Sequence, residues 1–184
     1  RTLQPLERAG RVVRIGATRG ARYGLAREVG AAGSCWPLFA IAESGQASQI
    51  SVVHAIEREH CYMRGGPPRI AGLSDGLPYF LQDARPAGFL GRAIPAAHPE
   101  LGLPARVVDW SDAHVLTYLT QRGSDNVGNL VLGAAALDRH LGGEHGPPIV
   151  QPRLRADRYL ALAASALAGA PPGSSAQGEH PKFS

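Results

Sequence analysis

The sequence predicts an α+β fold built from antiparallel strands and short helices. The chain of 184 residues contains 23 glycines and 15 prolines, and this density of turn-forming residues favours many short elements over a helical bundle. Short β-prone runs separated by turn residues predict a hairpin and then an antiparallel meander. Helix starters placed before apolar residues at helical spacing predict helices further along the chain.

The first segment predicts a short helix followed by a β-hairpin. Residues 2–9 favour a helix that ends at Gly10, because glycine is common just after the last turn of a helix. The runs at residues 11–15 and 21–25 are β-prone and flank a glycine-containing loop. This arrangement is typical of a hairpin.

The basic character of the chain belongs to this hairpin and its flanks. Residues 1–27 hold seven arginines against a single acid, Glu7, whereas the whole chain has a net charge of +4. A helix followed by a basic hairpin is typical of the end of a winged-helix motif, whose wing contacts the DNA backbone. The alternative is a solvated edge hairpin whose arginines serve solubility. The candidate DNA-binding residues are Arg11, Arg14, Arg19 and Arg22.

The middle of the chain predicts a meander that begins after a linker. Residues 28–34 are small and glycine-rich, which is typical of a linker. Two apolar runs and a further β-prone run then predict antiparallel strands. These runs lie at residues 36–42, 49–55 and 60–63.

Helices are predicted where capping residues precede apolar faces. Ser111 and Asp112 predict the start of a helix that ends at Gly123. The turn cluster at residues 123–128 then leads into a predicted buried strand at residues 129–132. Two further predictions are a linker at residues 142–148 and a helix that begins at Asp157.

Several kinds of site are excluded by residue content and spacing. Cys35 and Cys61 are too few for a disulfide framework, and we expect both to be buried in a reducing cytoplasm. The seven histidines show no pair at helical metal spacing, so we predict no metal site. We interpret Asp109 and Asp112 as a turn and a helix N-terminus rather than a catalytic pair.

One lysine, Lys182, stands against 18 arginines. It follows a loop of small residues at 173–178, whose backbone N–H groups could turn toward one anion. Glu179 stands where a Walker A motif requires lysine, which argues against a P-loop NTPase. The pattern is compatible with a kinase glycine-rich loop, in which a lysine on the next strand reaches the phosphates. The alternative is a polar tail with an incidental lysine.

The chain shows no membrane signal. Its longest apolar stretch, residues 159–170, is too short to span a bilayer, and no signal peptide is visible. We therefore expect a cytoplasmic protein with no membrane partner. Because the chain begins at Arg1 and its one methionine is Met63, we also expect it to be a piece of a longer protein.

Four segments together resemble the HipA-like serine/threonine kinases, in particular the YjjJ-type branch that carries an N-terminal winged helix. Their order along the chain matches the family, and the most specific are the segment at residues 75–92 and the loop at residues 174–183. Gln177 and His180 stand where the family usually has glycine and glutamine. The segments are the basic hairpin at residues 11–25, residues 75–92, residues 123–130 and the loop at residues 174–183.

The resemblance implies three parts. Residues 1–27 would be the C-terminal part of a winged-helix DNA-binding domain, and residues 35–145 would be the HipA-like N-terminal subdomain. Residues 149–184 would begin the kinase core, with the start of a kinase-like N-lobe and its glycine-rich ATP loop.

The resemblance also assigns roles within that loop. Lys182 would contact the phosphates of ATP, and autophosphorylation of Ser175 would expel the loop from the ATP site through its added negative charge. The catalytic and magnesium-binding residues would lie beyond Ser184, so ATP and Mg²⁺ are expected cofactors of the full-length protein, and we expect no catalytic residue in this chain. The implied ATP-binding residues are Ser175, Ala176, Gln177, Gly178 and Lys182.

The leading hypothesis is that the chain is the N-terminal portion of a HipA-like kinase that serves as the toxin of a type II toxin–antitoxin pair. Its expected partners are DNA and either an antitoxin or a protein substrate. The alternative is a DNA-binding transcriptional regulator or a protein-interaction module without kinase activity. A third hypothesis is a dimerisation or antitoxin-docking surface formed by residues 36–132.

Overall fold

The fold is described from a computed structural model, which covers residues 3–124, 126, 128–142 and 151–168. This part of the chain contains α-helices, a two-stranded sheet and a five-stranded sheet, and every strand pair within the two sheets is antiparallel. The predicted α+β class is therefore confirmed.

The N-terminal hairpin forms as predicted. Helix α1 spans Gln4–Arg8 and ends before Gly10. Strands β1 (Val12–Ile15) and β2 (Arg22–Leu25) then pair antiparallel, with Val12 opposite Leu25.

The five-stranded sheet contains the predicted meander at its centre. Its strand order is β6-β5-β4-β3-β7, so sequence neighbours pair throughout except where β7 joins the far side of β3. Strand β6 was not predicted, because three residues of Gly-Leu-Ser carry no strand pattern of their own. The strands are β3 (Cys35–Ile41), β4 (Ala47–Ala55), β5 (Cys61–Arg64), β6 (Gly72–Ser74) and β7 (Leu130–Leu132).

Five further helices follow, and α4 begins where the sequence predicts. The Ser111 side chain accepts a hydrogen bond from the His114 N–H, and the Ser111 N–H donates to His114 Nδ1, which forms a capping box. Helix α6 begins at Arg155 rather than at Asp157, and α5 was not predicted. The helices are α2 (Tyr79–Gln82), α3 (Gly88–Ala97), α4 (Asp112–Arg122), α5 (Ala134–Leu141) and α6 (Arg155–Leu167).

The five-stranded sheet has two faces. Its inner face packs in the hydrophobic core, and its outer face is the opposite one, on which His54 lies. Burial alternates along β4, where Val53 and Ala55 are fully buried and His54 between them is partly exposed. This alternation is typical of a sheet with one buried face. The inner face shares one hydrophobic core with the α4 side chains Val115, Leu116 and Leu119.

Residues 28–34 do not form the predicted linker. Val29 is buried in the main core, and the following residues make a short 3₁₀ turn, Gly30–Ala32. The Trp36 indole N–H donates to the Ala32 carbonyl at 2.7 Å. Small residues are used here for a close turn against the core rather than as a spacer.

The two cysteines differ. Cys61 is buried on the inner face as predicted, and burial raises the pKa of its thiol to about 11. Cys35 is exposed, so the prediction is wrong for this residue. Cys35 lies opposite His54 in the β3–β4 register, which places it on the outer face.

Candidate nucleic-acid interface

The hairpin is joined to the large sheet by backbone pairing. Ala26 and Ile56 form an isolated antiparallel bridge. The Arg27 N–H donates to the Ala55 carbonyl at 3.0 Å, and the Glu57 N–H donates to the Leu25 carbonyl at 2.9 Å. Strand β2 thus continues along the end of β4, so the hairpin has a fixed place on the sheet.

Side-chain contacts also hold the hairpin against the large sheet. Arg27 Nε donates to the Ile56 carbonyl at 3.2 Å, so this arginine of the basic segment has a structural role. A Cβ atom on Gly24 would lie 3.2 Å from Ile56 Cδ1. Glycine therefore lets the hairpin backbone approach the sheet closely.

The four candidate DNA-binding arginines are all exposed, but they do not share one face. Cross-strand partners in an antiparallel pair project on the same side. Arg14 is therefore beside Tyr23, whereas Arg22 is beside Ile15 on the opposite side of the hairpin. Arg19 lies in the loop between the strands, and Arg11 directly precedes β1.

One side of the hairpin combines a cation with an aromatic ring. Tyr23 exposes 44% of its surface, and the Arg14 guanidinium beside it donates to the Ala17 carbonyl at 3.3 Å. Arginine suits phosphate oxygens, and an exposed ring suits sugars and bases. Tyr23 was not among the predicted residues, because only the register of the two strands places it beside Arg14.

The other side of the hairpin meets the outer face of the sheet. The Gly16 N–H at the start of the hairpin loop donates to Tyr62 Oη at 3.4 Å. The Tyr62 ring stacks with the His54 ring at a centroid distance of 6.3 Å. Burial, together with the charge of Arg64, lowers the pKa of His54 to about 4, so His54 is neutral near pH 7.

Two other segments that carry the resemblance, residues 75–92 and 123–130, have a structural role. The Asp112 carboxylate accepts hydrogen bonds from the Arg85 guanidinium and from the Leu77 N–H. Asp112 is the first residue of α4, which confirms its prediction as a helix N-terminus. Residues of both segments, among them Phe80 and Asn126, line a cavity of about 240 Å³.

The predicted ATP-binding residues lie outside the described residues. This applies to Ser175, to Lys182 and to the three residues at 176–178, so their roles stay predictions. Within the described ranges, no group of three or more histidine, cysteine, aspartate or glutamate side chains could hold a metal ion. Of the helices described above, none is long and apolar enough to cross a membrane.

Comparison with known proteins defines the class of protein. Residues 32–141, more than half of the chain, match the model of a family described as YjjJ-like toxin, middle domain. The chain therefore belongs to the YjjJ-like toxin family, which confirms the resemblance to the YjjJ-type branch.

A curated relative is Toxin YjjJ of Escherichia coli (strain K12). It is 32% identical over 177 residues, which cover 96% of this chain and 40% of the relative. The chain thus spans less than half the length of that protein. No solved structure is significantly similar to the chain.

Proposed function

We propose that the full-length protein is the toxin of a toxin–antitoxin pair and acts as a HipA-like serine/threonine protein kinase. The observation that carries this proposal is the match of residues 32–141 to the YjjJ-like toxin family. In this proposal the described residues supply the hairpin and the middle domain, and residues from about 149 onward begin the kinase core. The partners are an antitoxin and a protein substrate.

ATP would supply the transferred phosphoryl group, with Mg²⁺ as its counter-ion. Lys182 would place a compact positive charge on the phosphates, a role that suits lysine better than arginine's broad planar fork. Ser175 would regulate the loop, because a phosphate group added there repels the phosphates of ATP.

The kinase proposal is tested in the full-length protein by following transfer of labelled phosphate from ATP. Lys182→Ala is expected to abolish transfer, whereas Arg158→Ala, which removes an exposed cation from α6, is expected to leave it unchanged. Ser175→Ala is expected to keep the kinase active after the native protein has inactivated itself. Undiminished transfer in Lys182→Ala refutes the role of the lysine.

A second proposed function is DNA binding by the hairpin. Its support is the exposure of Arg11, Arg14, Arg19 and Arg22 on a hairpin whose place is fixed by the sheet. Fixed cations of one sign favour a polyanion, and phosphate contacts position a protein on a duplex without reading its sequence. This function does not depend on kinase activity, so a DNA-binding transcriptional regulator without kinase activity is the alternative to the kinase proposal.

DNA binding is tested with a variant in which Arg14, Arg19 and Arg22 are alanine. Loss of three phosphate contacts is expected to reduce the slope of log K against log salt by about 3, and to weaken binding at low salt by more than about tenfold. Fluorescence anisotropy with a labelled duplex measures both quantities.

The matched control for this variant replaces three other exposed arginines, so that both variants have the same net charge. If the control loses as much affinity as the hairpin variant, binding reflects net charge and the hairpin has no special role. The control positions are Arg106, Arg153 and Arg158.

A further inference from the structure

The junction between hairpin and sheet leaves one arginine exposed at its border. Arg22 lies two residues before Gly24 on β2, so both are on the side of the hairpin turned toward the sheet. Gly24 is buried against Ile56, whereas Arg22 is exposed. Arg22 therefore stands where the hairpin surface passes into the surface of the sheet.

The adjoining part of the outer face carries a second cation. Tyr62 and Arg64 are two residues apart on β5. They project outward, because Cys61 and Met63, which alternate with them along the strand, are buried in the core. Tyr62 contacts the hairpin through the Gly16 N–H, and its ring is held against His54. Arg64 exposes 50% of its side chain.

The partner of Arg64 is weakly held. Glu7 of α1 lies with its carboxylate oxygen 3.7 Å from Arg64 Nη2, and both side chains are partly exposed. Exposed ion pairs at this distance are weak. A phosphate group, which offers arginine two oxygens at once, can compete with this single long contact.

We propose that the DNA-binding surface of the hairpin continues across the junction onto the outer face of the sheet, where Arg64 contacts a phosphate and Glu7 opposes binding. Arg22, Tyr62 and Arg64 form this continuation. Its ligand is the phosphodiester backbone of DNA, and the proposal rests on the DNA binding proposed above. The middle domain of the family would thereby take part in nucleic-acid recognition, instead of only carrying the hairpin.

The test uses two variants with opposite expected effects. Arg64→Ala is expected to weaken binding of a labelled DNA duplex about three- to tenfold and to reduce the salt slope by about 1. Glu7→Gln is expected to tighten binding about two- to threefold, because it removes a negative charge beside the phosphate contact and releases Arg64. If the ion pair between Glu7 and Arg64 served only to stabilise the fold, both variants would weaken binding.

The control pair is Arg106→Ala and Asp109→Asn. Arg106 and Asp109 form a similar exposed ion pair with a separation of 3.6 Å, so these variants report the effect of net charge alone. Circular dichroism on each variant measures whether the fold is kept.

The outcomes separate this proposal from the DNA binding on which it rests. Weakening by Arg64→Ala and tightening by Glu7→Gln, both beyond the control pair, support the continuation. If the hairpin variant loses DNA but both new variants match the controls, or if both weaken binding, the continuation is refuted while DNA binding stands. If the hairpin variant binds as well as the native chain, DNA binding by the hairpin is refuted, and with it the surface from which the continuation starts.

Discussion

Replacing Asp112 with alanine is expected to lower the free energy of unfolding by about 3 kcal/mol. Its carboxylate accepts from Arg85, and also from the Leu77 N–H at 2.8 Å. Arg85 donates in addition to the Trp110 carbonyl at 3.1 Å. The substitution leaves a guanidinium and an N–H without their acceptor. Because 23% of the Asp112 side chain is exposed, the expected loss is at the low end of the range for breaking buried pairs.

The control for this prediction is Asp109→Ala. Asp109 pairs with Arg106 at 3.6 Å, and both side chains are more than half exposed, so the expected loss is below about 1 kcal/mol. Urea unfolding measures both variants, and a double-mutant cycle with Arg85→Ala isolates the pair itself. Equal losses at Asp109 and Asp112 contradict the structural role assigned to Asp112.

Gly133→Ala is expected to destabilise the chain by about 3 kcal/mol or more, through backbone strain of about 1–3 kcal/mol and a steric clash of similar size. Gly133 has a φ of +90°, and its Cβ atom would lie 2.8 Å from the Thr120 carbonyl oxygen. That oxygen belongs to the backbone of α4 and cannot swing away as a flexible side chain can. Gly133 connects β7 directly to α5, so relief of the clash must displace one of these elements from the core.

Gly45→Ala separates the two causes. Gly45 has a φ of +80° in the turn between β3 and β4, and nothing lies within 4 Å of its would-be Cβ. This variant is therefore expected to show the strain alone, about 1–2 kcal/mol. Thermal unfolding of the two variants gives the difference that belongs to the clash at Gly133. A larger decrease in the melting temperature for Gly45→Ala than for Gly133→Ala would contradict the proposed clash at Gly133.

The elements predicted correctly are those whose signals are local. The hairpin and the meander follow from β-prone runs with turn residues between them, and α4 follows from Ser111 and its apolar face. Helix α5 depends instead on Gly133, whose backbone conformation and contact with Thr120 are set by tertiary packing. Strand β6 exists because Cys61 and Tyr62 pair with it, and such pairing is invisible in three residues of sequence.

The candidate site was predictable in part for the same reason. The concentration of arginines identified the hairpin, but the register was needed to show that Arg14 and Arg22 lie on opposite sides. Arg64 had no link to the hairpin in the sequence, because only the folded chain brings Tyr62 to Gly16. The small residues after Arg27 suggested a linker, since composition does not reveal that Val29 is buried.

The continuation of β2 along the end of β4 has a practical consequence for dissecting the protein. A fragment that starts at residue 32, where the family match begins, would lack Val29 and would leave the Ala55 carbonyl without the donor that Arg27 provides. The hairpin therefore cannot be exchanged between relatives without the middle domain that it contacts. Chimeras between relatives should exchange the hairpin and the middle domain together, with the splice placed after Leu141 rather than before Cys35.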